Sequence, residues 1–182
     1  MVARGIAYLR KEQEADGSWF GRWGTNYIYG TWSALCALNA AGVEPSAPEV
    51  QRAADYLLGR QNPDGGWGED CASYWPEQRY AGKASTPSQT AWALLGLMAA
   101  GAVEREEVRR GIDFLLRHAE GGERWKEDWY TAVGFPRVFY LNYHGYPHYF
   151  PLCALARYRN LLRGNDRRTA DGLREAPYDP NR

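Results

Sequence analysis

Two patterns of apolar and polar positions alternate along the chain, and both have a helical period. In the first kind one face is apolar and the other charged. Ile6, Leu9 and Gln13 fall at helical spacing, with Arg10, Lys11 and Glu12 opposite. The stretch 50–60 presents Ala54, Leu57 and Leu58 in the same way, and the stretch 108–117 presents Ile112, Leu115 and Leu116. In the second kind the helix is apolar all round. Residues 31–41 read TWSALCALNAA and residues 90–100 read TAWALLGLMAA, with Gly42 and Gly101 as matching C-terminal stops. Residues 150–162 carry Leu152, Cys153, Ala154 and Leu155 in the same order. A helix apolar all round is buried on every side, whereas one with a charged face lies outside. The alternation predicts an all-α fold of layered helical hairpins, curved into a solenoid or closed into an α/α barrel.

The outer helices belong to a unit that comes round three times. Arg4-Gly5, Tyr8-Leu9 and Gln13 lead to Gly17-Ser18-Trp19, and Arg52, Tyr56-Leu57 and Gln61 lead to Gly65-Gly66-Trp67. Arg110-Gly111 and Phe114-Leu115 lead to Trp125, with Ala119 where the glutamine would stand. A period of roughly 50 residues marks stacked units, none of which buries its faces alone. A glutamine at a helix end can bond orphan backbone groups, and a tryptophan after a glycine turn can lie over the neighbouring unit. Gln13, Gly17, Trp19, Gln61, Gly65, Trp67 and Trp125 therefore read as a structural clamp, weaker in its third copy. The linkers 16–29, 62–86 and 120–147 exceed ordinary loop length, and such loops in compact domains usually carry function. The domain is expected over 1–163, with a polar, aperiodic, flexible tail over 164–182.

Charge balances, 22 Lys+Arg against 22 Asp+Glu, which removes the electrostatic case for a nucleic-acid partner. Three cysteines, odd in number and far apart, favour a reducing, cytosolic setting over a disulfide scaffold. Neither a signal-peptide pattern nor an apolar run of about 18 residues is present in the sequence. The 8 Trp and 13 Tyr are many for this length, and their ring faces attract cations.

The repeat, with its glutamine and Gly-x-Trp, resembles the QW motif of the class II triterpene cyclases, of the bacterial squalene–hopene type. The stretches DGSWFGRWGTNYIYGTW (16–32), STPSQTAWALLGL (85–97) and GFPRVFYLNYHGYPHYFPLCALARY (134–158) support the likeness, which covers nearly everything from 2 to 162. It implies about half of one double-ring barrel and the polycyclisation of squalene to a pentacyclic hopanoid, without metal or organic cofactor. By the same resemblance Trp23, Tyr29, Phe135, Phe139, Tyr143 and Tyr146 line the cavity and stabilise carbocations. The spacing of the last four is four, four and three, which on a helix would place them on one face.

The family's acid, the central carboxylate of an Asp-x-Asp-Asp motif, has no counterpart here. Asp16, Asp64, Asp70 and Asp128 read as turn residues. The chain thus resembles the C-terminal part of a larger enzyme and is expected to be inactive alone. Its implied partners are squalene or a related linear triterpene, the remainder of the cyclase with the acid motif, and the cytoplasmic side of the cell membrane as a peripheral surface. A homodimer of the full enzyme is allowed. Exposure of TAWALLGLMAA is expected to make the isolated chain poorly soluble or self-associating. One rival reading is a zinc-dependent prenyltransferase-like barrel, with ligands among Asp70, Cys71, His118, His144 and His148. The other is a non-enzymatic helical-repeat binding module.

Overall fold

The computed structural model describes residues 2–122 and 124–164. The tail expected from 164 onward lies, beyond Gly164, outside the described residues, as does Glu123. Six helices follow one another: α1 (Val2–Glu12), α2 (Tyr27–Ala40), α3 (Pro48–Gly59), α4 (Pro87–Ala99), α5 (Glu106–Arg117) and α6 (Tyr146–Leu162). Between α5 and α6 lies a short hairpin of β1 (Ala132–Phe135) and β2 (Phe139–Leu141). Helices α2, α4 and α6 pack side by side as an inner row, and α3 and α5 back onto α4 from outside.

Helix α4 is the centre of the core. All 13 of its residues are buried, because α2 and α6 flank it while Leu57 of α3 and Leu115 of α5 lie in the same cluster. This corrects the expectation that TAWALLGLMAA would face water. Exposed apolar side chains lie elsewhere, among them Tyr8 on α1, Leu116 on α5 and Leu152 on α6. Helix α4 opens on a Thr86 cap, whose Oγ1 accepts the Gln89 N–H at 3.2 Å, followed by Pro87 at its first position. Gly42 and Gly101 end α2 and α4 alike. Both have φ of 80°, and the next residue bonds back into the last turn, Val43 N to Leu38 O at 3.0 Å and Ala102 N to Leu97 O at 2.9 Å.

The repeated clamp works through backbone groups that helix ends leave unpaired. The indole Nε1 of Trp19, Trp67 and Trp125 donates to Leu9 O, Leu57 O and Leu115 O at 2.8, 2.7 and 2.8 Å, in the last turn of α1, α3 and α5. Gln13 Nε2 bonds Gly17 O in its own turn at 2.9 Å and Glu49 O at the start of α3 at 2.8 Å. Gln61 repeats this on Gly65 O at 2.8 Å and Glu107 O, at the start of α5, at 2.7 Å. Gly17 and Gly65 adopt φ of 89° and 92°, and each lies against the carbonyl of the next outer helix, Arg52 O and Arg110 O, where a Cβ has no room. One unit therefore grips the next. Asp16 and Asp64 close the turns by accepting the N–H of Ser18 and Gly66 at 3.1 and 2.9 Å.

Candidate active site

The six aromatics expected to line a cavity fall into three places. Tyr29 lies in the first turn of α2 and Tyr146 at the start of α6, joined through Trp92 of α4 with ring centroids 4.9 and 5.8 Å apart. Tyr143, in the loop before α6, meets Tyr146 at 5.0 Å. Trp32 and Phe150 complete this cluster: Trp32 stacks on Trp92 at 6.0 Å, and Phe150 meets both at 5.4 Å. Trp92 is fully buried, and its Nε1–H has no hydrogen-bond acceptor among the described residues. Burial raises the phenols of Tyr29 and Tyr146 above the ordinary tyrosine value, so both rings stay neutral.

Phe135 and Phe139 lie on strands, so the condition under which the 4-4-3 spacing would mark one helical face is not met. They are cross-strand partners on the hairpin, centroids 5.6 Å apart. The local sequence explains it. Gly134 weakens a helix, Pro136 disfavours the helical conformation at Phe135, and a Cβ at Gly134 would run into the Phe139 ring. The turn leaves Arg137 at φ 67°. Phe135 lines a groove of about 500 Å³ together with Phe20, Tyr74 and Val138. Trp23 is half exposed beneath the Arg22 guanidinium, 4.9 Å from its ring centre. Its backbone extends the hairpin as a third edge: Val133 N donates to Trp23 O at 3.1 Å and Thr25 N to Thr131 O at 2.9 Å. Trp23 and Tyr29 share a cleft of about 400 Å³ with Tyr8, Leu9 and Ala34. Tyr29 thus stands on a helix rather than in the linker.

Two carboxylates, Glu69 buried and Glu127 half-buried, escaped the sequence reading. Glu69 accepts the first-turn amides of α2, from Asn26, Tyr27 and Ile28 at 3.2, 3.1 and 2.9 Å. Glu127 accepts the Ser88 N–H at 2.9 Å and hydroxyl at 2.7 Å in the first turn of α4, and the Thr131 hydroxyl at 2.8 Å. Burial raises both above the usual carboxylate range, against the pull of these donors. Each follows a clamp tryptophan by two positions, Trp67 and Trp125, which is the signal that could have found them. Neither is free to act as an acid, since its oxygens are committed to helix starts. Asp70 caps a 3-10 turn, accepting Ala72 N at 2.8 Å, and pairs with Lys83 at 2.7 Å. Among the described residues no three of His, Cys, Asp and Glu gather as a metal site would require.

Residues 1–160 match the sequence profile of the squalene-hopene cyclase C-terminal domain. The chain belongs to this family. It is 57% identical over 173 residues to a squalene–hopene cyclase of Bradyrhizobium diazoefficiens, covering 94% of this chain and 26% of that protein. It is 46% identical to a dammaradiene synthase of Dryopteris crassirhizoma, over 90% of this chain and 26% of that protein. The fold is similar to that of a type II terpene cyclase from Scytonema, solved with its substrate geranylgeranyl dihydroxybenzoate. The TM-score is 0.55 at 26% identity, covering 74% of this chain and 36% of that one. This cyclase-family chain spans about a quarter of the length of the curated relatives it matches, and its helices form an arc of the terpenoid-cyclase double ring.

Proposed function

We propose that this chain supplies part of the aromatic wall of a class II triterpene cyclase acting on squalene or a related linear triterpene. The observation that carries the reading is the convergence of Tyr29, Trp92, Tyr143, Tyr146 and Phe150 at the inner row of a chain in the squalene–hopene cyclase family. In such a reaction an acid protonates a terminal alkene, the positive charge moves inward through successive ring closures, and a base or water ends the sequence. Neutral rings suit the middle of that path. Their faces attract a cation by about 0.5–2 kcal/mol each, and their carbon skeletons are poor nucleophiles. The acid comes from the remainder of the cyclase, which seats against the uncovered face of α1 and α2, around Tyr8, Leu9 and Ala37. Squalene dissolves in lipid, so the complete enzyme works as a peripheral protein at the cytoplasmic face of a membrane. Among the described residues no helix is long and apolar enough to cross one.

The test is a graft. Residues 1–164 replace the corresponding segment of the Bradyrhizobium diazoefficiens cyclase, squalene is added, and products are identified by mass spectrometry. Pentacyclic hopanoids are expected, with prematurely terminated products from Tyr146→Ala. An inactive graft, or a Tyr146→Ala product profile identical to the parent's, overturns the reading. Flotation of the grafted enzyme with phosphatidylcholine–phosphatidylglycerol vesicles tests the membrane assignment, and failure to float removes it.

A further inference from the structure

We propose that Glu69 and Glu127 are positioning residues: a second clamp, repeated at two positions after the motif tryptophan, that fixes the aromatic wall by holding the inner helices at their starts. The glutamine–tryptophan clamp ties outer helices to one another. This second clamp ties the inner ones. Glu69 is buried, and no Lys, Arg or His among the described residues forms an ion pair with it. Its three partners are consecutive amides that α2 cannot bond itself, and Tyr29 is the next residue. The backbone of Glu69 is in turn held from behind. Gln89 of α4 accepts the Glu69 N–H at 3.1 Å and donates to Glu69 O at 3.0 Å and to Thr25 O at 3.2 Å. The start of α2 is thereby fixed relative to α4, which carries Trp92.

Glu127 continues the same network on the other side. Through Ser88 it holds the start of α4, and through the Thr131 hydroxyl it holds the residue that precedes β1. Thr131 O takes the Thr25 N–H, and Trp23 O takes the Val133 N–H. Trp23, Tyr29, Trp92 and the Phe135–Phe139 hairpin therefore hang from one chain of bonds running Ile28, Glu69, Gln89, Thr25, Thr131, Glu127. An apolar residue at 69 or 127 would leave buried first-turn amides without acceptors and free the loops to shift. Cyclisation needs ring faces held in fixed places along the path of the charge. The proposal rests on the cyclase reading only for the use made of the wall.

The test is made on this chain, with Glu69→Gln and Glu127→Gln, and reads ring geometry rather than product. An amide keeps one acceptor oxygen and replaces the other by a donor, so part of each set of bonds is lost without loss of volume. The expected result has three parts. The far-ultraviolet circular dichroism is unchanged. Exchange of the Asn26, Tyr27 and Ile28 amides in Glu69→Gln, or of Ser88 in Glu127→Gln, is about 10–100-fold faster, while Ile112 and Leu115 keep their protection. The near-ultraviolet circular dichroism of the packed rings loses intensity. A near-ultraviolet spectrum equal to the parent's overturns the proposal, because the wall then stands without the carboxylates. Loss of the far-ultraviolet helix signal also overturns it, because the carboxylates then hold up the fold instead of placing the rings. An inactive graft alongside the expected spectra would fail the cyclase reading and leave the clamp standing.

Discussion

Helices α1 and α3 are written in the same pattern and meet opposite fates. Counting back from the clamp tryptophans, Val2 corresponds to Val50 and Tyr8 to Tyr56. Val50 and Tyr56 are 3% and 9% exposed, while Val2 and Tyr8 are 63% and 61% exposed. The difference does not come from the helices. It comes from the unit before. Helix α3 lies under the loop that carries Gln13, Gly17 and Trp19, and α5 under the loop that carries Gln61, Gly65 and Trp67. Each outer helix is finished by its predecessor, as expected of a quasi-one-dimensional array.

The largest effect that could break this comparison is at the matched tyrosines. Tyr56→Ala should cost about 3 kcal/mol in denaturant unfolding, and Tyr8→Ala less than about 0.5 kcal/mol. Equal costs would mean that the tyrosine stabilises its own helix and not the junction. Next comes the glutamine. Gln61→Ala should cost about 1–2 kcal/mol, since two hydrogen bonds of 2.8 and 2.7 Å are lost. Ala119→Gln, which restores the residue missing from the third copy, should change thermal stability by less than about 0.3 kcal/mol, because no described outer helix follows α5 to receive it. A gain as large as the Gln61 loss would show that the glutamine acts within its own turn.

An effect smaller than the Gln61 loss distinguishes the first two turns. Asp16 and Asp64 occupy matching places, but Asp16 also pairs with Arg79 at 3.1 Å, whereas Asp64 accepts the Ser85 hydroxyl at 2.8 Å. Burial pushes the Asp16 carboxyl up, and the Ser18 hydrogen bonds and the Arg79 guanidinium together outweigh it and hold the group below its ordinary value. A lowered folded value stabilises the fold above the unfolded value, about pH 3.9, and that contribution is lost as pH falls through the folded value. Asp16→Asn keeps the turn, so it should cost about 0.5 kcal/mol at pH 7 after screening, and nothing at a pH below both values. A cost that is the same at both pH values would assign the effect to the turn alone.

The helices were legible because their period and stops are local. Their starts were read late. Helices α2, α4 and α6 begin at Tyr27, Pro87 and Tyr146 rather than at 31, 90 and 150, because aromatics and prolines in a first turn look like linker. The hairpin hid behind a helical spacing of phenylalanines that Gly134 and Pro136 contradict. The proposed wall was half legible. Tyr29 and Tyr146 were found by resemblance, whereas Trp32, Trp92 and Phe150 sit in stretches apolar all round, where periodicity cannot single out one face. Glu69 and Glu127 were the least legible, since their partners are backbone amides some 40 residues earlier in the chain.

The indole bonds bear on how the chain acquires its shape. Each one spans 10 residues, whereas the glutamine bonds to the next outer helix span 36 and 46. Closing the shorter loop costs about 1 kcal/mol less in chain entropy. Every outer helix can therefore be finished at its C-terminus by its own loop soon after that loop leaves the ribosome. The grip on the following unit waits until that unit exists. Within the described residues each finished unit then offers the surface on which the following outer helix packs.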